Sequence, residues 1–311
     1  MTLQEALQEF LFQKRIAGVN KNTIHTYNAT ISLMLKSINS DLPIEAVTYR
    51  MFTDYVEKLL DSNISRATKS SYIRNDKIFL KWVYDEYGLS FDPRKIKVPK
   101  SPKKNVHIYT DVEILKIFEQ CTTSVPWITA RNRAIIAFML DSGLRQLEVC
   151  GILKENIDTD RMVLKVTGKG AKDRFVPLGS STVLLLNAYM DLCPYKDSDY
   201  VFHGRRGERL TGNAIRLFVY RLEHKLGFSL SSHKLRHNFA TNFCLDNLEQ
   251  KGTSNVYDLG IIMGHESIET TKKYEHFAHE FVAVKNSISH LDMCLENHLE
   301  SVAGSSHIST D

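Results

Sequence analysis

Three prolines, Pro93, Pro99 and Pro102, interrupt the chain about a third of the way along its 311 residues. Proline lacks a backbone N–H donor and disfavours helix at the residue before it, so a cluster of prolines ends a continuous helix. A chain of this length can form two hydrophobic cores. We therefore predict a domain over 1–92, a linker over 93–107, a second domain over 108–276, a C-terminal helix over 277–299 and a disordered tail over 300–311.

The segment before the prolines has the apolar spacing of helices alone. Thr2 and Glu5 have the spacing of a capping box, in which two side chains satisfy the first backbone N–H groups of a helix. Three further stretches show apolar residues at helical intervals, each after a residue type that caps helices. The residues predicted to cap the four helices are Thr2, Asn22 or Thr23, Thr48 and Ser65.

The segment after the prolines combines helices with a few strands. Apolar and β-branched residues at 161–166 and 174–178 flank a turn that contains glycine, which is typical of a β-hairpin. Residues 200–202 are predicted as a third short strand. Helices are predicted at 111–121, 131–141, after Thr211, and at 233–246, 255–263 and 267–273. The predicted fold class is mainly α with a small antiparallel β-sheet.

Composition indicates the cellular setting. The hydrophobic fraction of 43% and the charged fraction of 24% are typical of globular proteins. The residues after Met1 lack the basic-then-apolar order of a secretory signal. Five scattered cysteines lack the spacing of metal ligands, which is typical of reduced thiols. We expect a cytoplasmic protein that does not span a membrane.

Positive charge is clustered in this chain and is not large in total. A net charge of +4 does not by itself indicate nucleic-acid binding, but the run from Arg94 to Lys104 contains no acidic residue. Such a run is either a solvated linker or a contact for a phosphate backbone, and we favour the second interpretation. For the basic residues of the fourth helix, a solvated face and DNA contact stay equally open. The candidate contacts are Lys100, Lys103 and Lys104 of the linker, Arg66, Lys69, Arg74 and Lys77 of the fourth helix, and Lys172 of the hairpin turn.

Six residues of the second domain have the chemistry needed to break a phosphodiester without a metal ion. Arginines bind the two non-bridging oxygens bidentately, and imidazoles add hydrogen bonds that strengthen as charge develops. A tyrosine hydroxyl attacks phosphorus and conserves the bond as a phosphotyrosine. The candidate catalytic residues are Arg145, Lys169, His233, Arg236, His265 and Tyr274.

The order and spacing of these residues resemble the tyrosine recombinases, also called the phage-integrase or Xer-like family. The resemblance covers nearly the whole chain and implies a helical, SAM-like domain that clamps DNA and an α+β catalytic domain. Gln146, Leu147 and Met263 depart slightly from the family pattern, at positions that affect packing. The motifs that carry it are Gly143-Leu144-Arg145 with Glu148, Gly168-Lys169-Gly170, His233-x-x-Arg236, Gly264-His265, and Tyr274 nine residues after His265.

The resemblance also implies a role for each residue. Tyr274 is the nucleophile, and Lys169 is the general acid that protonates the departing 5′ oxygen, with Lys172 nearby as a substitute. Glu148 orients Arg145 or a neighbouring histidine.

Two histidines of one helix each have two alternative assignments in the sequence. His233 either donates to a non-bridging oxygen or accepts the proton of Tyr274. His237 is four residues further on, a spacing that can bind zinc, but Arg236 on the same site would repel a cation. We expect His237 to be a packed supporting residue and expect neither metal nor cofactor.

The expected activity is site-specific DNA recombination through a 3′-phosphotyrosyl intermediate and a Holliday junction, by a homotetramer on two double-stranded DNA sites beside the nucleoid. Integration, excision, resolution and transposition all stay open. The alternatives are a type IB topoisomerase-like relaxing enzyme and an inactive DNA-binding accessory protein. Apolar residues recur at helical spacing near the C-terminal end of the chain. This apolar stripe either covers its own domain or, as the resemblance implies, docks on a neighbouring subunit. It consists of Val284, Ile288, Leu291, Leu295 and Leu299.

Overall fold

The computed structural model describes residues 1–100, 107–168, 172–287, 289–291 and 295. The chain divides into two compact units, Met1–Lys104 and Asn105–Asp311. The division falls within the predicted linker at 93–107, of which residues 101–106 lie outside the described ranges. The predicted tail at 300–311 lies outside them as well.

Residues 1–100 form four α-helices: α1 (Leu3–Ile16), α2 (Lys21–Ile38), α3 (Tyr49–Asp61) and α4 (Arg66–Tyr87). The predicted caps Thr2, Thr48 and Ser65 each accept a hydrogen bond from a backbone N–H of the first turn. The predicted cap of α2 was wrong. Asn20 is the cap, because its Oδ1 accepts the N–H of Asn22 at 2.8 Å.

The core of the first unit is aromatic and contains one buried acid. Phe10 of α1 packs against Phe79 and Trp82 of α4, with ring centroids 5.5 Å away in each case. Asp76, on α4, is fully buried and accepts a hydrogen bond from the Tyr55 hydroxyl at 3.2 Å. Burial raises the pKa of Asp76 to about 8, so its carboxyl group is mostly protonated at neutral pH. A neutral carboxyl group is much less costly to bury than a carboxylate.

The second unit is also mainly helical. Its helices and strands surround a core that runs from Tyr109 to Leu235 in sequence and includes Phe138, Tyr189 and Phe202. In chain order the elements are α5 (Asp111–Gln120), α6 (Pro126–Asp141), α7 (Gln146–Cys150), β1 (Ile157–Asp158), β2 (Val163–Thr167), β3 (Asp173–Pro177), α8 (Ser180–Leu192), α9 (Gly212–Leu226), α10 (Ser232–Lys251), α11 (Val256–Met263) and α12 (Glu269–Lys285).

The three strands form one antiparallel sheet in the order β1-β2-β3, which confirms the predicted fold class. The β2–β3 hairpin was predicted, but the third strand was placed wrongly at 200–202. That segment makes an isolated bridge between Tyr200 and Leu153, and β1 is the third strand instead. Val201 and Phe202 are fully buried, so their apolar character reflects burial in the core and not membership of the sheet.

Helix α10 is the central element around which the functional site is built. It packs against α6, α11 and α12. The sequence predicted two separate helices, at 267–273 and 277–299. The predicted break between them is wrong, because α12 continues past residue 274 to Lys285. Tyr274 is therefore held in the middle of a helix, on the side that faces α10. Among the described residues, no helix has both the length and the apolar character required to cross a membrane.

Candidate active site

A cleft of about 1050 Å³ lies in the second unit, between the start of α7, strand β2, α10 and α12. Five of the six candidate catalytic residues line it, although more than a hundred residues of sequence separate the first from the last. The sixth candidate, Lys169, lies outside the described residues, but Gly168 before it also lines the cleft. The five are Arg145, His233, Arg236, His265 and Tyr274.

Glu148 joins three guanidinium groups beneath this cleft. Its carboxylate accepts hydrogen bonds from Arg145 Nη1 at 2.9 Å and from both terminal nitrogens of Arg174 at 2.8 and 2.9 Å. Arg236 Nη1 lies 3.9 Å from the same carboxylate. Burial opposes ionisation of Glu148, but the hydrogen bonds from Arg174 and Arg145 outweigh it and hold the pKa of the carboxyl group below its ordinary value. Glu148 is therefore the shared counter-ion of the site.

Two glycine loops fix the positions of the arginines. Arg236 is buried and donates to the carbonyls of Gly143 and, at 2.6 Å, Met263, while Arg145 Nη2 donates to the carbonyl of Gly264 at 3.2 Å. Gly143 and Gly264 have φ values of +59° and +61°, which favour glycine. A Cβ atom on Gly143 would also lie 2.2 Å from the ring of Phe239. The glycines before Arg145 and His265 therefore let backbone carbonyls approach the guanidiniums.

The histidines of the cleft are held neutral. Burial, followed by the charges of Arg236 and Arg145, lowers the pKa of His265 to about 4, and its Nδ1 contacts the Thr271 hydroxyl at 2.8 Å. Desolvation, followed by Lys273 and Arg236, also lowers the pKa of His233, which is exposed to the cleft. A neutral imidazole keeps one donor and one acceptor nitrogen. Both histidines are therefore able to donate to an anion held between the arginines.

Tyr274 is almost completely buried and its hydroxyl is hydrogen-bonded to Nδ1 of His237. Burial raises the pKa of the phenol to about 12, although Arg236 nearby opposes the shift. His237 was expected to be a packed supporting residue; it is buried, and it contacts the hydroxyl of Tyr274 directly. The side chain lies beside Tyr274 because α10 and α12 pack together at this point.

Lys273 is another basic side chain of the cleft that the sequence analysis did not assign. Its Nζ lies over the ring of Tyr274, 4.8 Å from the centroid. Burial, followed by the charge of Arg236, lowers its pKa. Its own charge in turn helps to lower the pKa values of His233, His237 and His265.

We expect Lys273→Gln to move the acid side of the pH profile for DNA cleavage to higher pH. Removing the cation raises the pKa of the three histidines, so each becomes protonated at a higher pH than in the parent protein, and cleavage is lost earlier as the pH falls. The measurement is the cleavage rate as a function of pH. Lys272→Gln is the matched control, because Lys272 is exposed and paired with Glu269 at 2.6 Å. Identical profiles for the two variants would contradict the prediction.

Sequence reasoning missed three residues of the site, and one of them had a readable signal. Arg174 is two residues before buried Val176 on β3, so the two side chains lie on the same face of the strand, which is the face towards the core. An arginine buried there requires an acidic partner. Thr271 and Lys273 gave no signal of their own, because their roles depend on which helices pack against each other. Within the described ranges, no three His, Cys, Asp or Glu side chains are grouped so as to hold a metal ion.

The candidate DNA contacts divide into two groups. Arg66, Arg74, Lys100 and Lys172 are exposed. Lys69 and Lys77 instead donate to backbone carbonyls of their own unit, Lys69 to Leu60 and Lys77 to Arg94 and Ile96. Each ammonium group therefore stabilises the backbone of another segment of the same unit. Lys103 and Lys104 lie outside the described residues.

Comparisons with known proteins agree with this geometry. The sequence model of the phage integrase family matches residues 108–280. The tyrosine recombinase XerC of Leptospira interrogans is 28% identical over 286 residues, covering 88% of this chain and 89% of the relative. The tyrosine recombinase XerD of Bifidobacterium longum is 24% identical over 261 residues, covering 79% and 83%.

Two solved structures share the fold. The Tn1549 transposon integrase in complex with a circular intermediate DNA has a TM-score of 0.72 at 18% identity, covering 88% of this chain and 94% of the integrase. The XerH site-specific recombinase bound to a palindromic difH substrate has a TM-score of 0.72 at 21% identity, covering 92% and 84%. Neither the topoisomerase nor the accessory-protein alternative gains support from these comparisons. The chain belongs to the phage integrase family and is a tyrosine-type site-specific DNA recombinase.

Proposed function

We propose that Tyr274 attacks a scissile phosphate of double-stranded DNA, forming a 3′-phosphotyrosyl linkage and releasing a 5′ hydroxyl group. The observation that carries the proposal is the convergence of Tyr274 with Arg145, Arg236 and His265 in one cleft. The 5′ hydroxyl of a partner duplex then attacks the linkage, and each diester is exchanged for another without a cofactor. Two successive exchanges pass through a Holliday junction.

The cleft residues have separate tasks in this reaction. Arg145 and Arg236 bind the non-bridging oxygens, and His233 and His265 donate to them as negative charge develops. Glu148 keeps the arginines aligned. Lys169, next to the cleft-lining Gly168, protonates the departing 5′ oxygen, since an alkoxide is otherwise a poor leaving group. Lys172 is exposed close by in sequence and is the alternative acid.

The parts outside the cleft hold DNA and other subunits. The helical domain at 1–92 and the linker at 93–107 grip the duplex through Arg66, Arg74 and Lys100, with Lys103 and Lys104 as further candidates. The C-terminal segment at 277–299 docks on a neighbouring subunit, so that four copies act on two DNA sites in the cytoplasm, at the nucleoid. The exposure of Val284, Leu291 and Leu295 supports this docking; Ile288 and Leu299 lie outside the described residues.

The test uses nicked suicide duplexes tiled across the DNA that flanks the gene of this protein. A nick beside the cleavage site lets the short fragment that carries the new 5′ hydroxyl group diffuse away, so the covalent complex accumulates. We expect an SDS-resistant adduct on specific duplexes, with DNA attached to Tyr274 in the peptide map, and the same yield in EDTA. An adduct on another residue, or a yield abolished by EDTA, would overturn the proposal.

A further inference from the structure

We propose that His237 is the base that takes the proton of Tyr274 when its hydroxyl attacks DNA. The inference rests on the proposed function and adds a residue to which the family motifs in the sequence assign no role. The hydroxyl of Tyr274 is hydrogen-bonded to Nδ1 of His237, so the acceptor nitrogen already touches the reacting atom. A general base requires this contact, either directly or through one water molecule.

Packing fixes this contact on both sides. His237 and Tyr274 lie on the neighbouring helices α10 and α12, are 8% and 4% exposed, and have ring centroids 5.4 Å apart. His233, the base considered from the sequence, is exposed and stacks edge-on against His237, with centroids 4.1 Å apart. The two histidines therefore face different groups. His233 faces the cleft, where the phosphate binds, and His237 faces the nucleophile.

The charges around His237 keep its ring neutral until DNA binds. Burial, followed by His233, Lys273, Arg236 and His265, lowers the pKa of His237 to about 4. With Nδ1 accepting from the phenol, the single proton of the neutral ring is on Nε2. A bound phosphodiester brings negative charge between the arginines, which partly cancels their field and raises the proton affinity of the imidazole.

The step balances with groups that are already named. The bond from Tyr274 Oη to phosphorus forms, and the bond from phosphorus to the 5′ oxygen breaks. The phenol proton moves to Nδ1 of His237, and Lys169 supplies the proton for the departing 5′ oxygen. When a 5′ hydroxyl group attacks in the rejoining step, Lys169 takes the proton of that hydroxyl group and His237 returns the phenol proton to Tyr274, as microscopic reversibility requires.

The first test is His237→Asn, measured by single-turnover formation of the covalent complex on the suicide duplex. The amide oxygen of asparagine takes approximately the place of Nδ1 and still accepts a hydrogen bond, but it does not take a proton. We expect the rate to fall about 100-fold or more, with the melting temperature and DNA affinity retained. His279→Asn is the control, because His279 is exposed on the same helix as Tyr274. A wild-type rate for His237→Asn would overturn the inference.

A second test separates proton transfer from positioning. Replacing Tyr274 by a fluorinated tyrosine, through nonsense suppression, gives a more acidic phenol that depends less on a base. We expect this nucleophile to restore much of the rate lost in His237→Asn and to change the wild-type rate much less. A purely structural role for His237 predicts the same proportional loss with both nucleophiles, and that result would overturn the inference.

A third measurement requires no DNA. In the ¹⁵N spectrum of the histidine rings we expect His237 to be the neutral tautomer with its proton on Nε2, and its Nδ1 signal to move in Tyr274→Phe. A proton on Nδ1 would overturn the inference. If wild-type protein forms no adduct, the proposed function fails and the inference fails with it. If wild-type protein reacts and His237→Asn reacts equally, the inference alone fails.

Discussion

Tyr274→Phe is expected to bind its DNA site with unchanged affinity and to form no covalent adduct. The substitution removes the attacking oxygen and keeps the ring that fills the space between α10 and α12, so the fold and the arginine sites are retained. It also leaves Nδ1 of His237 without the Tyr274 hydroxyl, which costs about 1–3 kcal/mol of the free energy of unfolding. Gel mobility measures DNA binding, and the suicide duplex measures adduct formation.

The control for this experiment is Tyr257→Phe. Tyr257 lies on α11 in the same unit, its side chain is 71% exposed, and it does not line the cleft. We expect Tyr257→Phe to form the adduct at the wild-type rate. Residual adduct in Tyr274→Phe, or equal loss in both variants, would show that the nucleophile is a different residue.

Glu148→Gln is expected to destabilise the second unit by about 3–5 kcal/mol and to slow adduct formation strongly. The carboxylate compensates Arg174 and Arg236, whose side chains are 9% and 5% exposed, and an amide leaves both charges buried without it. Because the pKa of Glu148 is lowered in the folded protein, its stabilising charge is present above the ordinary carboxyl pKa and is lost as pH falls through the lowered value. The difference between Glu148→Gln and the parent protein should therefore shrink in strong acid.

Tryptophan fluorescence can report this loss for the second unit alone. The chain has two tryptophans, Trp82 in the first unit and Trp127 in the second, so urea unfolding is followed in a Trp82→Phe background. Glu249→Gln is the control. It breaks an exposed pair with Lys285 at 2.8 Å, which contributes about 0–1 kcal/mol. Equal unfolding free energies for the two variants would contradict a structural role for Glu148.

The sequence located the side chains that line the cleft because each motif couples a reactive residue to a backbone requirement. Gly143 before Arg145 and Gly264 before His265 both adopt positive φ, so these short patterns carry geometry as well as chemistry. The same reasoning placed most helix starts correctly, since a cap at Thr48 or Ser65 depends only on its own first turn. Local rules predicted these features well.

The parts that sequence reasoning missed depend on contacts between distant segments. His237 contacts Tyr274 through the packing of α10 on α12, and spacing along one helix cannot reveal a partner on another. The apolar residues at 200–202 predicted a strand, but they are apolar because they are buried in the core of the second unit. For Lys77 the sequence left a solvated face and DNA contact open, and it could not reveal that the side chain donates to two backbone carbonyls from residues nearly twenty positions further along the chain.

The carboxylate of Glu148 gathers guanidiniums from three separate stretches of the chain: the loop before α7, strand β3 and helix α10. Until all three stretches have come together, Arg145 and Arg236 share no counter-ion and cannot receive an anion jointly. A nascent or proteolysed fragment that ends before α10 therefore lacks a working pocket. We expect such incomplete chains to form no covalent adduct with DNA, because Arg236 and Tyr274 are both missing from them.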